Sequence, residues 1–161
     1  MQENFFYAFL FSFLATAAFG ALFQAPRKSL ITSGIIGAVG WVIFVFLRIY
    51  LEYNSFYANF LATIFIALGS EFVARIFKQP VTVYVLPGII PLVPGLGMYR
   101  GMTQIIEKNY DLGMDTLLTA GTDAAAIALG MMFMASVFRV IKISKERQQL
   151  LQRLQKLQKK I

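Results

Sequence analysis

Glu71, Arg75 and Asp123 are ionisable side chains set inside long apolar runs of this sequence. Charge at bilayer depth is costly, and such residues tend to mark ion or proton pathways or internally paired supports. Glu71 and Arg75 are spaced one helical turn apart on one face, where they can pair. Arg75 is near enough to Lys78 to reach an interface, whereas Glu71 sits roughly 9 Å inside the helix end at 1.5 Å per residue. The pair therefore reads either as a structural ion pair or as a coupling site for a proton or substrate. Asp123 has no base at helical spacing. Inside a bilayer it must be protonated, hydrated or partnered from another helix, unless it lies close enough to the outer interface to be wet.

A second kind of chemistry is carried by backbone. From Pro80 to Gly101 the chain is apolar enough for a membrane, yet Pro87, Pro91 and Pro94 with Gly88, Gly95 and Gly97 interrupt it. Each proline removes a backbone donor and clashes one turn back, so a helix should stop and restart here. Freed backbone groups at bilayer depth are tolerated only where they line a cavity or pack inside a bundle. Broken helices of this sort point to transporter binding sites. If the second half starts near Gly95, Leu96 and Gly97, its unpaired N–H groups and positive dipole end suit a carboxylate. Tyr99 and Arg100 lie in or just beyond its first turn, where a phenol and a guanidinium add donors. The plainer reading is a kinked, packed helix, although three prolines in eight residues exceed what a kink requires.

The same words carry a resemblance. Pro87-Gly88-Ile89-Ile90-Pro91-Leu92-Val93-Pro94-Gly95, then Tyr99-Arg100-Gly101, with Glu71 and Arg75 upstream and Pro80 between, resembles the signature of the threonine/serine exporter family. The likeness is to its smaller, C-terminal-half module, and it covers roughly Leu30 to Phe138. It implies export of small amino acids such as threonine and serine, or of small carboxylates such as succinate, with proton exchange as the driving reaction. It also implies a larger membrane subunit as partner. In fused members a longer membrane module with its own cytoplasmic segment precedes one like this, and that portion is absent from this sequence.

These residues need elements to hold them. With 58% hydrophobic and only 14% charged residues in 161, and a mean hydropathy of +0.65, the chain is far from soluble composition and reads as an all-α polytopic membrane bundle. There is no cysteine and no histidine, which removes thiol catalysis, histidine bases and the usual metal-ligand sets. No serine-lysine or paired-aspartate arrangement appears at helical spacing, so no enzyme, metal site or cofactor is expected.

The net charge of +7 belongs to the tail, where eight basic residues from Arg139 to Lys160 face only Glu146. Elsewhere acid and base balance, so the basic pI implies no nucleic-acid partner.

Five spans are expected: 5–23, 30–50, 56–77, a broken 82–106, and 117–138, with a polar loop over 107–115. Residues 1–138 form the bundle and 139–161 a basic tail. Glu3 precedes the first run and Arg27 and Lys28 follow it, the reverse of a signal peptide, so the helix is retained. Thr16, Ala17, Gly20 and Ala21, and in the second span Ser33, Gly34, Gly37, Ala38 and Gly40, make smooth faces for helix packing. A substrate route along the second face is the bolder alternative.

Arg27/Lys28, Arg75/Lys78 and Arg139/Lys142 belong on one side, and Glu3, Glu52 and the acidic 107–115 loop on the other. That places the N-terminus outside and the tail in the cytoplasm of an inner-membrane protein. Leu150, Leu154, Leu157 and Ile161 give the tail an amphipathic stripe. It would extend the last helix and lie on anionic lipid; a short coiled coil is less well supported, having barely two heptads.

Five helices are few for alternating access, which normally uses two repeats around one site. A second copy or a larger subunit is therefore expected. The competing class is a membrane scaffold without a substrate of its own, for which the small-residue faces and tail suffice.

Overall fold

A computed structural model describes residues 4–158, with side chains as far as Ile141 and at Ser144. Six α-helices run in chain order: α1 Phe5–Leu22, α2 Arg27–Ile49, α3 Ser55–Phe77, α4 Thr82–Ile89, α5 Gly95–Ile106 and α6 Tyr110–Gln158, with a single 3-10 turn, Ile90–Leu92, after α4. Among the described residues there is no strand. α1, α2, α3 and residues 110–141 of α6 are each long and apolar enough to cross a membrane. The 82–92 and 95–106 segments, bent 43° from one another, pass the same test only as a pair, which makes four candidate spans, or five with the pair counted as one.

Local chemistry sets the ends. Pro26 precedes α2 with its ring-fixed φ of −54°, and Asn54 caps α3 by accepting the Phe56 N–H at 3.2 Å. Gln24, Glu52, Lys78 and Lys108, one after each of α1, α2, α3 and α5, turn the chain in the left-handed region at φ 51–67°. Each such non-glycine residue costs about 1 kcal/mol, which the packed helices on either side offset.

Small residues set how closely the helices approach. A Cβ on Gly34 would lie 2.7 Å from the Phe13 ring, one on Gly37 would meet Thr16, and one on Gly40 would meet Ile66. The small-residue face of α2 therefore receives side chains of both α1 and α3. Gly130 of α6 brings that helix to within 3.0 Å of the Phe60 carbonyl oxygen and Thr63 Cβ, measured from the Cβ it lacks. At the centre Ala62, Ile66, Leu92 and Ile127 are buried together, with Trp41, Phe44 and Ile89 against them.

α4 sits among α1, α2 and α3, anchored by the buried Tyr84, whose hydroxyl is 3.2 Å from Ser29 Oγ at the start of α2. α5 leans instead on α6.

Side-chain register fixes direction. Ser55 meets Asp123, Phe60 meets Phe133 and Arg75 meets Phe138, so α3 and α6 run parallel. Since α4 starts where α3 ends, the bent α4–α5 pair carries the chain from one end of the bundle to the other. Arg27, Lys28, Arg75 and Lys78 cluster at one end, and Glu52 and Glu107 at the other.

One expectation is corrected. The last span begins at Tyr110, not near residue 117, so the connection shrinks to 107–109 and Asp111 and Asp115 ride on the helix. An acidic group suits the positive end of a helix, and Asp111 occupies that first turn. The tail extends the last helix, as its sequence suggests: α6 continues without interruption to Gln158. The tail's apolar stripe lies outside the described side chains, and Glu3 outside the described residues.

Candidate functional site

The break between α4 and α5 is built by its prolines. Pro87 falls inside α4, where it denies the Val83 carbonyl its usual donor. Pro91 sits in the 3-10 turn, and Pro94 precedes α5. A residue before proline is driven out of the helical region, and Val93 is extended at φ −60°, ψ 125°. Leu86 and Ile90 precede prolines too, yet Leu86 remains within α4 and Ile90 is helical at φ −52°, ψ −44°. Val93 is thus where the chain turns. No glycine in the chain has positive φ, so the glycines here serve clearance: a Cβ on Gly88 would be 3.0 Å from Ile66, and one on Gly97 3.3 Å from Ala120.

The turn opens into a cavity of about 610 Å³. Pro91, Leu92, Val93, Pro94, Leu96, Gly97 and Arg100 form one wall. α2 contributes Trp41 and Phe44, α3 contributes Asn59, and α6 contributes Asp115, Thr116, Thr119, Ala120 and Asp123. In the first turn of α5, Met98 N–H is bonded to Pro94 O at 3.0 Å and Gly95 N–H to Val93 O at 2.8 Å. The N–H groups of Leu96 and Gly97 have no such partner and face the helix's positive end. Among the described residues Arg100 forms no ion pair. This wall is therefore rich in unspent donors.

The opposite wall is rich in acceptors. Ser55 Oγ donates to Asp123 Oδ2 at 2.8 Å, and Asn59 Nδ2 approaches Ser55 Oγ at 3.4 Å. Asn59 is 2% exposed, and its Oδ1 and Asp123 Oδ1 are buried without a protein partner. Thr116 and Thr119 spend their hydroxyl protons elsewhere, Thr116 dividing its one between Gln104 Oε1 and Leu112 O and Thr119 giving its own to Asp115 O.

Of the residues singled out by sequence, Pro91, Pro94, Arg100 and Asp123 line this cavity. Gly95 opens α5 beside it. Pro87 and Gly88 are buried in the bundle, and Tyr99 is 69% exposed on the outer face of α5; none of the three lines the cavity.

Glu71 and Arg75 lie elsewhere. Arg75 donates to Glu71 Oε1 from Nε at 2.9 Å and from Nη2 at 2.6 Å, and its guanidinium lies 5.7 Å from the centre of the Phe138 ring. Glu71 lines a separate cavity of about 300 Å³ with Val81, Val85, Met131 and Met134. Twelve residues of α3 separate Asn59 from Glu71, about 18 Å of helix.

The sequence model of the family described as Threonine/Serine exporter, ThrE matches residues 8–137, most of the chain and all of the bundle's central helices. The chain belongs to the threonine/serine exporter family. A protein of Corynebacterium glutamicum named threonine/serine exporter is 27% identical over 117 residues, 73% of this chain and 24% of that protein. An uncharacterised protein of Haemophilus influenzae is 28% identical over 105 residues, 65% of this chain and 35% of its own length. The matches thus span about a quarter and about a third of those curated relatives. No solved structure matches.

Within this exporter-family chain, sequence reasoning missed Trp41, Phe44, Ser55 and Asn59 as parts of the site. Ser55, Asn59 and Thr63 recur every fourth position on one face of an otherwise apolar helix, and that stripe is the signal that would have found two of them. Asp115 was hidden by its assignment to a loop.

Proposed function

We propose that this chain is the membrane subunit of an exporter of small amino acids such as threonine and serine, or of small carboxylates such as succinate. It works with a larger membrane subunit of the same family, with a second copy of itself, or with both. The observation that carries this reading is the cavity at the helix break, where Leu96, Gly97 and Arg100 line one wall and buried Asn59 and half-buried Asp123 the other, and where the Leu96 and Gly97 N–H groups have no backbone partner. The substrate carboxylate binds at the start of α5, held by backbone donors and the helix dipole, with Arg100 assisting. The exchanged proton is carried by Glu71 or Asp123, two acidic groups deep within apolar stretches of their helices.

The clustering of Arg27, Lys28, Arg75 and Lys78 at one end of the bundle supports a cytoplasmic placement of that end and of the basic tail, in an inner membrane with the N-terminus outside. There the tail meets anionic lipid.

The test is efflux of labelled threonine, serine and succinate from proteoliposomes holding this chain, alone and with the larger family subunit, with and without a proton gradient. Efflux accelerated by an inward proton gradient supports the reading, and efflux only with the larger subunit makes the pairing obligatory. Correct insertion with no efflux in either preparation overturns it in favour of a scaffold.

A further inference from the structure

We infer that Asp123, with Ser55 and Asn59, forms a cation subsite that takes the ammonium group of an amino-acid substrate. This rests on the exporter reading and narrows it, because it makes the cavity a site for zwitterions in preference to dicarboxylates. It also leaves Glu71, in the other cavity, as the proton carrier.

The argument begins with one hydroxyl. Ser55 Oγ has a single proton, and that proton goes to Asp123 Oδ2 at 2.8 Å. Its lone pairs face the Asn59 amide nitrogen at 3.4 Å. An Asn59 side chain held by its nitrogen must present its oxygen the other way. Both remaining acceptors, Asn59 Oδ1 and Asp123 Oδ1, are buried with no protein donor, and both residues line the cavity. A buried acceptor left without a donor is unfavourable, and a buried carboxylate more so. Two unpartnered acceptors on residues of the same cavity wall, one of them a carboxylate, suit a cationic donor with several hydrogens, which an ammonium supplies.

The rest of the cavity fixes the polarity. Arg100 and the Leu96 and Gly97 N–H groups stand on the α5 wall and the acceptors on the α3–α6 wall, so a zwitterion is matched at both ends. Charged groups facing Asp123 across the cavity are Arg100 from α5 and the exposed Asp115 on α6; α2 and α3 contribute Trp41, Phe44 and Asn59, which carry no charge. A dicarboxylate would set its second carboxylate against Asp123. A site built to hydrogen-bond a substrate N–H group discriminates strongly against an analogue lacking it.

The experiment compares efflux of labelled L-serine, 3-hydroxypropionate, which is serine without its amino group, and succinate, using the full chain together with the larger family subunit. The wild type should prefer serine over 3-hydroxypropionate by roughly tenfold or more, and Asp123→Asn should reduce that preference to about twofold or less. The ratio is read within one preparation, so partial loss of inserted protein cancels. Should Asp123→Asn fail to insert, Asn59→Ala, which leaves the carboxylate in place, must lower the same ratio several-fold. An unchanged ratio in the variant overturns the subsite and leaves the exporter reading standing, as does a wild type that moves succinate but not serine. A wild type that moves none of the three compounds overturns both.

Discussion

Asp123 of α6 and Ser55 of α3 are 68 positions apart in the chain, and a 2.8 Å hydrogen bond joins the carboxylate of one to the hydroxyl of the other. The bond ties the helix that enters after the Glu52 turn to the one that enters after Asn109, and it engages Oδ2 of Asp123 while Oδ1 is left without a protein donor. Ser55→Ala should therefore weaken the apparent affinity for serine or threonine by about threefold to tenfold, in line with the ~1 kcal/mol usually carried by a neutral hydrogen bond and more when one partner is charged. Asn54 still caps α3 through Phe56 N–H, so insertion should be unaffected. The concentration dependence of efflux measures this, and an unaltered half-saturation point would show that Asp123 is positioned without Ser55.

Pro91 shapes the cavity wall from within the 3-10 turn. Pro91→Ala restores a backbone N–H and removes a ring from that wall, letting the first half helix run on. Export should fall several-fold while the amount of protein in the membrane stays the same. Wild-type export at equal protein would detach the break from the transport site.

In the Glu71–Arg75 pair two guanidinium nitrogens share one carboxylate oxygen and Arg75 is 49% exposed, so its worth to stability is small. Its informative role is in coupling. Glu71→Gln keeps an oxygen for Arg75 but cannot cycle a proton, and downhill export should persist while its response to an imposed pH gradient flattens. A normal pH response would return the pair to a purely supporting role.

Glycines on α6 should divide by what their missing Cβ would meet. At Gly113 it would lie 2.9 Å from the Gly101 carbonyl oxygen and 3.0 Å from the Ile105 nitrogen, both backbone atoms, whereas at Gly121 nothing lies within 4 Å. Gly113→Ala should destabilise by about 1–3 kcal/mol through overpacking of α5 on α6. Gly121→Ala should be neutral or stabilise by up to about 1 kcal/mol through helix propensity. Thermal midpoints in detergent decide it, and equal effects at the two positions would contradict the close α5–α6 approach.

The chain contains no cysteine, so single cysteines report sidedness without background. Lys28→Cys and Lys78→Cys should be labelled by a membrane-impermeant thiol reagent from the cytoplasmic side only, and Glu52→Cys and Asn109→Cys from the opposite side only. Asn109→Cys labelled from the same side as Lys78→Cys would mean that the bent pair turns back within the membrane.

The helices and the break are legible in the sequence because both rest on local chemistry: apolar runs set the spans, and Pro87, Pro91 and Pro94 forbid one continuous helix. Which residues share a cavity is another matter. Tyr99 and Arg100 are neighbours in sequence, and whether one or the other faces inward depends on the helical phase at which α5 restarts after a 43° bend. That phase is set where Val93 is extended, although Leu86 and Ile90 in the same break also precede prolines. Asn59 reaches the site because Gly130 lets α6 press against α3, a relation between distant segments. Asp111 and Asp115 looked like loop residues because acidity was weighed without the helix end that accommodates it.

The unbroken course of α6 gives the molecule a lever. Its 49 residues make a rod of about 74 Å at 1.5 Å per residue, with a fulcrum at Gly130, where it bears on the Phe60 carbonyl. A tilt of about 5° there moves Asp123 by roughly 0.9 Å but Gln158 by roughly 3.7 Å, taking 1.5 Å of rise per residue. Any tilt about Gly130 would therefore displace the basic end about four times as far as the Asp123 carboxylate.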